Sequence, residues 1–390
     1  MIVKTDKTRC SGCSACFAVC PVGCITMRPD AEGFLYPVVD QEKCIGCGNC
    51  DRVCPVTQPV STETAPSAAW GANARDAALR ARSSSGGVFT LLAKDVLESG
   101  GVVFGAALTE HCSKAEHIMA ENAEQLSRLQ GSKYVQSNLQ DTFRQAKEKL
   151  ENGRSVLFTG TPCQIAGLRA FLGRDYERLL SVAIICHGAP SPLVWERYVS
   201  HSEKKLGGKL REAFFRSKKT GWNHFGLHLV SESGKVQYLT AQKDAYMRLF
   251  LRNLSLRPSC YRCAAKSGSC AADLIIGDFW GVQNVLPDLA DDMGTSLVLS
   301  FTEKGTAAAE RILSQMDAYT VSAEAALEGN GAYYHSVGMP ESRTAFFRDL
   351  PNTDFNALAQ RYVPIGKKEK IKMQLDRMHL LDLACKVLNK

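Results

Sequence analysis

Two runs of cysteine near the start of the chain carry the strongest chemical signal in the sequence. They read CSGCSACFAVCP from residue 10 and CIGCGNCDRVCP from residue 44, and both have the spacing C-x2-C-x2-C-x3-C-P. That spacing wraps three thiolates around one iron–sulfur cubane and sends the fourth to a second cubane. Structural zinc also uses C-x2-C pairs, but it needs only four ligands and has no use for the proline. The runs therefore predict two [4Fe–4S] clusters.

The spacing also divides eight cysteines between the two clusters. The first set is Cys10, Cys13, Cys16 and Cys54, and the second set is Cys44, Cys47, Cys50 and Cys20. Cys24 is left over, and we expect it to be a small buried residue, with a part in repair of the neighbouring cluster as the alternative. Because the runs repeat at a period of 34 residues, they mark a duplicated small domain.

A second group of cysteines lies far along the chain. Cys260, Cys263 and Cys270 fall on one segment, SCYRCAAKSGSCAADLIIGDFWG, and three thiols leave a metal site incomplete. Cys163, in FTGTPCQIAG, is the best candidate for a fourth ligand. It follows a predicted strand, at the sheet edge where ligands collect in α/β folds. The spacing leaves zinc open here beside an iron–sulfur cluster.

The segments that must position these residues alternate between helix and strand patterns. Helices are predicted over 88–100, 142–153, 161–173 and 192–207, and strands over 101–108, 155–160 and 179–186. Strands separated by helices predict an α/β fold with a mainly parallel sheet. Residues 208–240 alternate apolar and polar positions around SESG, which predicts an antiparallel hairpin and so a mixed sheet.

Composition divides the chain into four parts and limits its surroundings. We expect a ferredoxin-like domain at 1–56, a Thr-, Ser- and Pro-rich linker at 57–67, a larger domain at 68–365 and a basic amphipathic helix at 366–390. The start of the chain has no secretory pattern and no apolar run reaches spanning length, so we expect a cytoplasmic protein.

Charge gives little reason to expect nucleic acid as a partner. Residues 361–390 hold eight Lys or Arg against three acidic residues, which supplies +5 of the net +7. We expect the terminal helix to dock on its own domain, with a partner protein or a membrane surface as the alternative.

Five downstream motifs together resemble those of the family of coenzyme F420 hydrogenase/dehydrogenase beta subunits. They are SSSGGVFTLL at 83–92, GSKYVQS at 131–137, GTPCQIAGL at 160–168, CHGAPSPLVWERY at 186–198 and GDFWG at 277–281. The resemblance implies a domain that binds FAD beside a third [4Fe–4S] cluster, held by Cys163, Cys260, Cys263 and Cys270. It also implies an oxidoreductase that exchanges electrons with a ferredoxin or another redox partner protein.

With FAD implied by the resemblance, several motif residues become candidate cofactor contacts. The candidates are Ser85, Gly86, Gly87, Lys133, Tyr134, Gly160, Thr161, His187 and Asp278. The serines and glycines precede a helix, where free amides attract phosphate, although an ordinary serine cap is an equal alternative. Lys133 offers charge to a phosphate or to the reduced ring.

The remaining candidates have weaker local signals. Asp278 lies just beyond a strand, and core packing is the alternative for its neighbours Phe279 and Trp280. Cys186 and His187 resemble a nucleophile and base pair, but adjacent residues on a loop generally point apart. We therefore expect them to have a positioning role at the sheet edge and not a role in covalent catalysis, and we assign no catalytic residue.

Three functions remain open from the sequence. The first is transfer of electrons between a ferredoxin-type partner and coenzyme F420 or a similar small molecule, with FAD joining one-electron and two-electron chemistry. The second is a ferredoxin-dependent reductase of a different small molecule, since fold does not fix chemistry. The third is a non-enzymatic relay component of a larger redox complex. No G-x-G-x-x-G motif supports a nicotinamide site.

Overall fold

The computed structural model describes residues 6–60 and 65–366, and the strands in this part form three sheets. In chain order the strands are β1 (Ile25–Pro29), β2 (Leu35–Val39), β3 (Ala68–Ala74), β4 (Val102–Leu108), β5 (Ala115–Ala120), β6 (Val156–Gly160), β7 (Leu179–Ile184), β8 (Leu210–Ser217), β9 (Gly226–Ser231), β10 (Val236–Thr240), β11 (Leu274–Asp278), β12 (Ser296–Ser300) and β13 (Met316–Thr320).

The α-helices connect these strands and cover the large sheet. They are α1 (Ala15–Val19), α2 (Asn49–Arg52), α3 (Ala77–Arg82), α4 (Val88–Glu98), α5 (Ala123–Leu129), α6 (Thr142–Glu151), α7 (Pro162–Leu172), α8 (Pro192–Leu206), α9 (Ala245–Leu251), α10 (Val282–Val285), α11 (Glu303–Leu313), α12 (Ala323–Leu327), α13 (Gly331–Tyr334), α14 (Arg343–Asp349) and α15 (Phe355–Tyr362). Short 3-10 turns lie at Glu110–Cys112, Pro258–Arg262, Pro287–Leu289 and Leu350–Asn352.

The large sheet has eight strands in the order β13-β3-β12-β11-β7-β6-β4-β5. Parallel pairing joins β11, β7, β6 and β4, whereas the other neighbours pair antiparallel. The predicted α/β class with a mixed sheet is confirmed. The sheet is not mainly parallel as predicted, because three of the seven neighbouring strand pairs in its described strands are parallel, and these form its centre. The edge pair β4 and β5 is antiparallel because the six residues between them leave no room for the crossover that parallel strands need.

The predicted hairpin forms, but outside the large sheet. β9 pairs antiparallel with β10, and β8 completes a separate three-stranded sheet. The mixed character of the large sheet therefore comes from its own flanking strands and not from this hairpin.

Alternating side chains along the central strands fill two apolar cores. Val156 and Phe158 of β6 join the core that holds α6 and α7, whereas Leu157 joins the core that holds α4 and α11 on the other face. The large sheet is thus covered by helices on both faces, as parallel strands require.

The cysteine-rich part packs directly on the larger part. Ala15 and Ala18 of α1 belong to the same apolar core as Ile165 and Leu168 of α7. The domain boundaries at residues 56 and 68 stay predictions. The predicted terminal helix at 366–390, apart from residue 366, and linker residues 61–64 lie outside the described residues. Within the described ranges, no helix combines the length and apolar character needed to cross a membrane.

Candidate functional site

The first predicted set of thiols converges although its members come from both cysteine runs. Cys54, from the second run, lies near Cys13 and Cys16 of the first. Gly12 and Ser14 have φ of 69° and 61°, a left-handed conformation that bends the chain between the thiols. Burial, and then the neighbouring thiols, raise the pKa of Cys13 to about 12. Binding of iron must therefore displace protons from this set.

The second predicted set has one exposed member, and its other three thiols lie around a small core. Cys20, Cys44 and Cys50 pack around a small core that includes Cys24, and Cys47 is exposed. Cys24 is 4% exposed, its Sγ lies 3.4 Å from Cys20 Sγ, and its N–H donates to the same sulfur. The expected burial of Cys24 is thus observed. Because Cys24 contacts Cys20, a predicted cluster ligand, modulating the properties of the Cys20 sulfur is a further candidate role for Cys24.

One buried arginine ties the cysteine-rich part to the larger part. Arg257 is 1% exposed and donates to the carbonyl oxygens of Cys10 (2.8 Å) and Leu35 (2.9 Å) and to Oε1 of Gln136 (3.0 Å). A Cβ on Gly12 would lie 2.8 Å from the guanidinium, so this approach needs a glycine. The first set of thiols therefore sits beside a fixed positive charge.

Helix α7 brings Cys163 against the first set. The helix begins after β6 with Pro162 at its first position, and Gln164 Oε1 accepts from the Thr161 N–H at 2.9 Å. A Cβ on Gly167 would lie 2.7 Å from the Cβ of Cys13. The thiols of Cys13 and Cys163 are close enough to interact electrostatically. The predicted first cluster and the predicted third site are thus adjacent.

The third group of cysteines surrounds a small cavity of about 40 Å³. Its thiols come from Cys163, Cys186, Cys260 and Cys263, whereas Cys270 is fully buried and does not line it. Cys186 and Cys270 are both close enough to Cys163 and Cys263 to interact with them electrostatically, but only Cys186 borders the cavity. Cys186 follows β7 at the same sheet edge at which Cys163 follows β6. This shared edge is the sequence signal that could have identified Cys186 as a candidate ligand.

Polar neighbours of this cavity fit an anionic cluster. The N–H of Ala189 donates to Cys260 Sγ at 3.3 Å, and Thr161 Oγ1 lies 3.2 Å from Cys163 Sγ. Lys266, which lines the same cavity, donates to the carbonyl oxygen of Cys186 at 2.7 Å. Such donors and charges stabilise thiolates.

Within residues 6–60 and 65–366, no group of three or more His, Cys, Asp or Glu side chains is arranged to hold a metal ion.

A larger cavity of about 450 Å³ lies next to the small one, within the size range of cofactor sites. Residues shared by the two linings form the wall between them, and these are Thr161, Ile184, Ile185, Cys186, His187, Gly188, Ala189 and Ala332. The carboxyl ends of β6, β7 and β11 open onto this cavity, as expected for an α/β sheet.

All predicted cofactor contacts except Gly86 line the large cavity. Those that do are Ser85, Gly87, Lys133, Tyr134, Gly160, Thr161, His187 and Asp278. Gly86 instead packs into the sheet: its N–H donates to Ser296 Oγ, and a Cβ there would lie 2.1 Å from the Ala72 carbonyl oxygen. Gly86 therefore allows the backbone segments at Ala72 and Ser296 to pack closely against it. The role of the other eight toward FAD stays a prediction.

The start of α4 gives the cavity a site suited to phosphate. Gly87, with φ of 101°, precedes the helix, and the first amides of an α-helix have no acceptor within it. Val88 and Phe89, which carry such amides, line the cavity. Lys133 also lines it, and burial, then Arg128, lower the Lys133 pKa to about 7. A bound anion would favour the charged form of this amine.

Two histidines on the cavity wall are held in neutral forms. Burial lowers the pKa of His117 to about 4, so its Nε2–H donates to the carbonyl oxygen of Thr159 at 2.9 Å and its Nδ1 accepts from Ser137. Burial also lowers the pKa of His187, whose Nε2 lies 2.7 Å from Asn253 Oδ1. The His187 ring is thus fixed by Asn253, and its positioning role stays a prediction.

Arg216, like His117, is a cavity residue that the sequence did not reveal. It extends from β8, and its side chain is 3% exposed. Its Nη1 lies 3.1 Å from Asp278 Oδ2, which connects the predicted residue Asp278 to a buried cation. An isolated arginine on a strand carries no local signal of such a position.

Comparison with protein families identifies two connected parts of the chain. Residues 69–143 match the N-terminal model, and residues 153–325 match the C-terminal model, of the coenzyme F420 hydrogenase/dehydrogenase beta subunit. The chain belongs to the family of coenzyme F420 hydrogenase/dehydrogenase beta subunits. Two 4Fe–4S dicluster models also match, one over residues 9–57 and one over 36–88, so this family member carries iron–sulfur clusters in its N-terminal part.

Known relatives match parts of this family member. A component of the F(420)H(2) dehydrogenase of Methanosarcina mazei is 27% identical over 191 residues, which are 45% of this chain and 53% of the relative. A coenzyme F420-dependent sulfite reductase of Methanocaldococcus jannaschii is 35% identical over 109 residues, which are 28% of this chain and 17% of the relative. The matches thus span about half of one relative and about a sixth of the other.

Among solved structures, a chain of the F420-reducing [NiFe] hydrogenase complex from Methanosarcina barkeri is similar. The match has a TM-score of 0.45 and 16% identity, and it covers 80% of this chain and 97% of that one.

Proposed function

We propose that this chain is an iron–sulfur flavoprotein that passes electrons between a ferredoxin-type partner protein and coenzyme F420 or a similar small molecule. One observation carries the proposal: the predicted third cluster site and the large cavity share a wall, and the first set of thiols abuts the same site through α7. The relatives are named for F420 chemistry, which supports the substrate class.

The thiols suggest an order for electron transfer. The second set includes the exposed Cys47 and would meet the partner protein. The first set lies against Cys163, and the third group borders the large cavity. We assign the third cluster to Cys163, Cys186, Cys260 and Cys263, with Cys270 in place of Cys186 as the sequence-based alternative. Each step then joins neighbouring sites.

The large cavity fits FAD in its chemistry. The start of α4 and Lys133 suit phosphates, and the buried Arg216 and Asp278 suit a polar ring edge. FAD, when bound, exchanges one electron or two. The chain itself contributes neutral histidines, fixed by Thr159 and Asn253, and a wall that separates the cavity from the third group of thiols.

A direct assay separates the candidate functions. The full chain, reconstituted anaerobically with iron, sulfide and FAD, is reduced with dithionite, freed of excess reductant and mixed with oxidised F420. We expect loss of the F420 absorbance together with reoxidation of the flavin. Bound flavin without this reaction would favour a different small-molecule substrate, and about eight irons with no bound flavin would favour the relay function.

A further inference from the structure

Arg216 has two donors that no described residue satisfies. Its side chain is 3% exposed, and its Nη1 lies 3.1 Å from Asp278 Oδ2 and 3.5 Å from Tyr134 Oη. Its Nε and Nη2 have no hydrogen-bond partner in the described chain. A buried donor without an acceptor is costly, and more so when it belongs to a charged group.

Two aromatic rings also pack against the guanidinium. Its central carbon lies 3.9 Å from the ring centre of Phe225 and 5.2 Å from that of Trp280. Trp280 stacks in turn on Trp222, with ring centres 4.7 Å apart. Because this arrangement restrains the guanidinium plane, the free donors cannot turn easily toward other acceptors.

The charges around Arg216 favour the binding of a negative group. Asp278 is the counter-ion of Arg216, but its Oδ1 already accepts from Trp222 Nε1 at 3.1 Å. Lys218 follows the end of β8, and burial, then Arg80 and Arg216, lower its pKa to about 8. Two carboxylates, Asp278 and Asp291, thus face three cationic side chains, Arg216, Lys218 and Arg80. Arg216, Phe225, Trp280 and Asp278 all line the large cavity.

We propose that Arg216 forms a subsite for a hydrogen-bond acceptor that carries negative charge in the bound or reduced ligand. Two sources share this chemistry, namely phosphate oxygens and the oxygen-bearing edge of a ring that becomes anionic on reduction. The planar fork of Arg216 suits either because it donates two N–H groups in fixed directions. The proposal rests on the proposed function for the identity of the ligand.

The test measures ligand affinity of the anaerobically reconstituted full chain by equilibrium dialysis. FAD, riboflavin and ADP are the probes, because riboflavin has the ring without phosphate and ADP has the pyrophosphate without the ring. Arg216→Met is expected to weaken FAD binding at least about tenfold, the scale of one lost charged hydrogen bond. Lys219→Met removes an exposed positive charge nearby but outside the cavity lining, so it should bind like wild type.

The probes locate the acceptor. A parallel loss of riboflavin affinity assigns Arg216 to the ring, and a parallel loss of ADP affinity assigns it to the phosphates. Unchanged affinity for all three, with normal iron content, would overturn the proposal. Where Arg216→Met does not retain iron, Arg216→Gln carries the same test. Failure of the wild-type chain to bind flavin would contradict the proposed function, and ADP alone then decides the role of Arg216.

Discussion

At the residue scale, Cys186 and Cys270 compete for one role at the third site. Only Cys186 of the two lines the cavity formed with Cys163, Cys260 and Cys263. We therefore predict that Cys186→Ser loses about four irons per chain, as does Cys163→Ser, whereas Cys270→Ser keeps them. Iron analysis after anaerobic reconstitution measures this. Loss of iron in Cys270→Ser together with full iron in Cys186→Ser would contradict this assignment. It would support Cys270 as the fourth ligand, as the family resemblance implies.

Lys133 gives the cavity a measurable dependence on pH. Its pKa is lowered to about 7, so the free protein holds this amine mostly neutral at pH 8. A bound anion raises that pKa toward the ordinary value, and the amine takes up a proton. Affinity for an anionic ligand should therefore fall as pH rises above about 7.

Calorimetry in buffers of different ionisation enthalpy measures this proton uptake. At pH 8, we expect uptake when FAD binds the wild-type chain and less uptake in Lys133→Met. Lys147→Met, on the exposed face of α6, is the matched control and should behave as wild type. Equal uptake by Lys133→Met and wild type would assign the protonation to another group, such as Lys218.

At the element scale, α7 is the contact between the two parts of the chain. Helix propensity alone predicts that Gly167→Ala stabilises α7 by about 1 kcal/mol. A Cβ at that position, however, would lie 2.7 Å from the Cβ and 2.9 Å from the Sγ of Cys13. Overpacking costs typically about 1–3 kcal/mol, so we predict a net lower stability and weakened binding of the first cluster.

Thermal unfolding and iron content test this contact together. Gly208→Ala is the control, because no described atom lies within 4 Å of a Cβ placed there. We expect Gly167→Ala to lower the melting temperature and to release iron faster to a chelator, and Gly208→Ala to do neither. A stabilised Gly167→Ala chain with normal iron retention would show that α7 and the first set of thiols do not pack as described.

At the scale of the whole molecule, the sequence predicted what depends on local spacing. Each cysteine run is a short segment that contains one short helix, α1 or α2. Its spacing alone predicts that the fourth cysteine joins the other set, and Cys54 indeed lies near the first set. The α/β class followed from alternating patterns, and the motif residues after β6 and β7 lie at one sheet edge.

What the sequence could not predict depends on contacts between distant segments. Arg216 reaches the cavity from a sheet whose separation from the large sheet has no local signal. The position of Gly86 before a helix is typical of a phosphate-binding glycine. Only the fold shows that the Ala72 carbonyl oxygen lies beside it. Cys186 and Cys270 are equally good ligands by type, and only packing separates them.

An anaerobic reductive titration tests the central claim most directly. Dithionite is added stepwise to the reconstituted full chain, with flavin absorbance and the electron paramagnetic resonance of the clusters recorded at each step. We expect uptake of about five electrons per chain, two that bleach FAD and one for each of three clusters. Uptake of about two electrons without a flavin signal would contradict it, because the chain would then be a two-cluster relay.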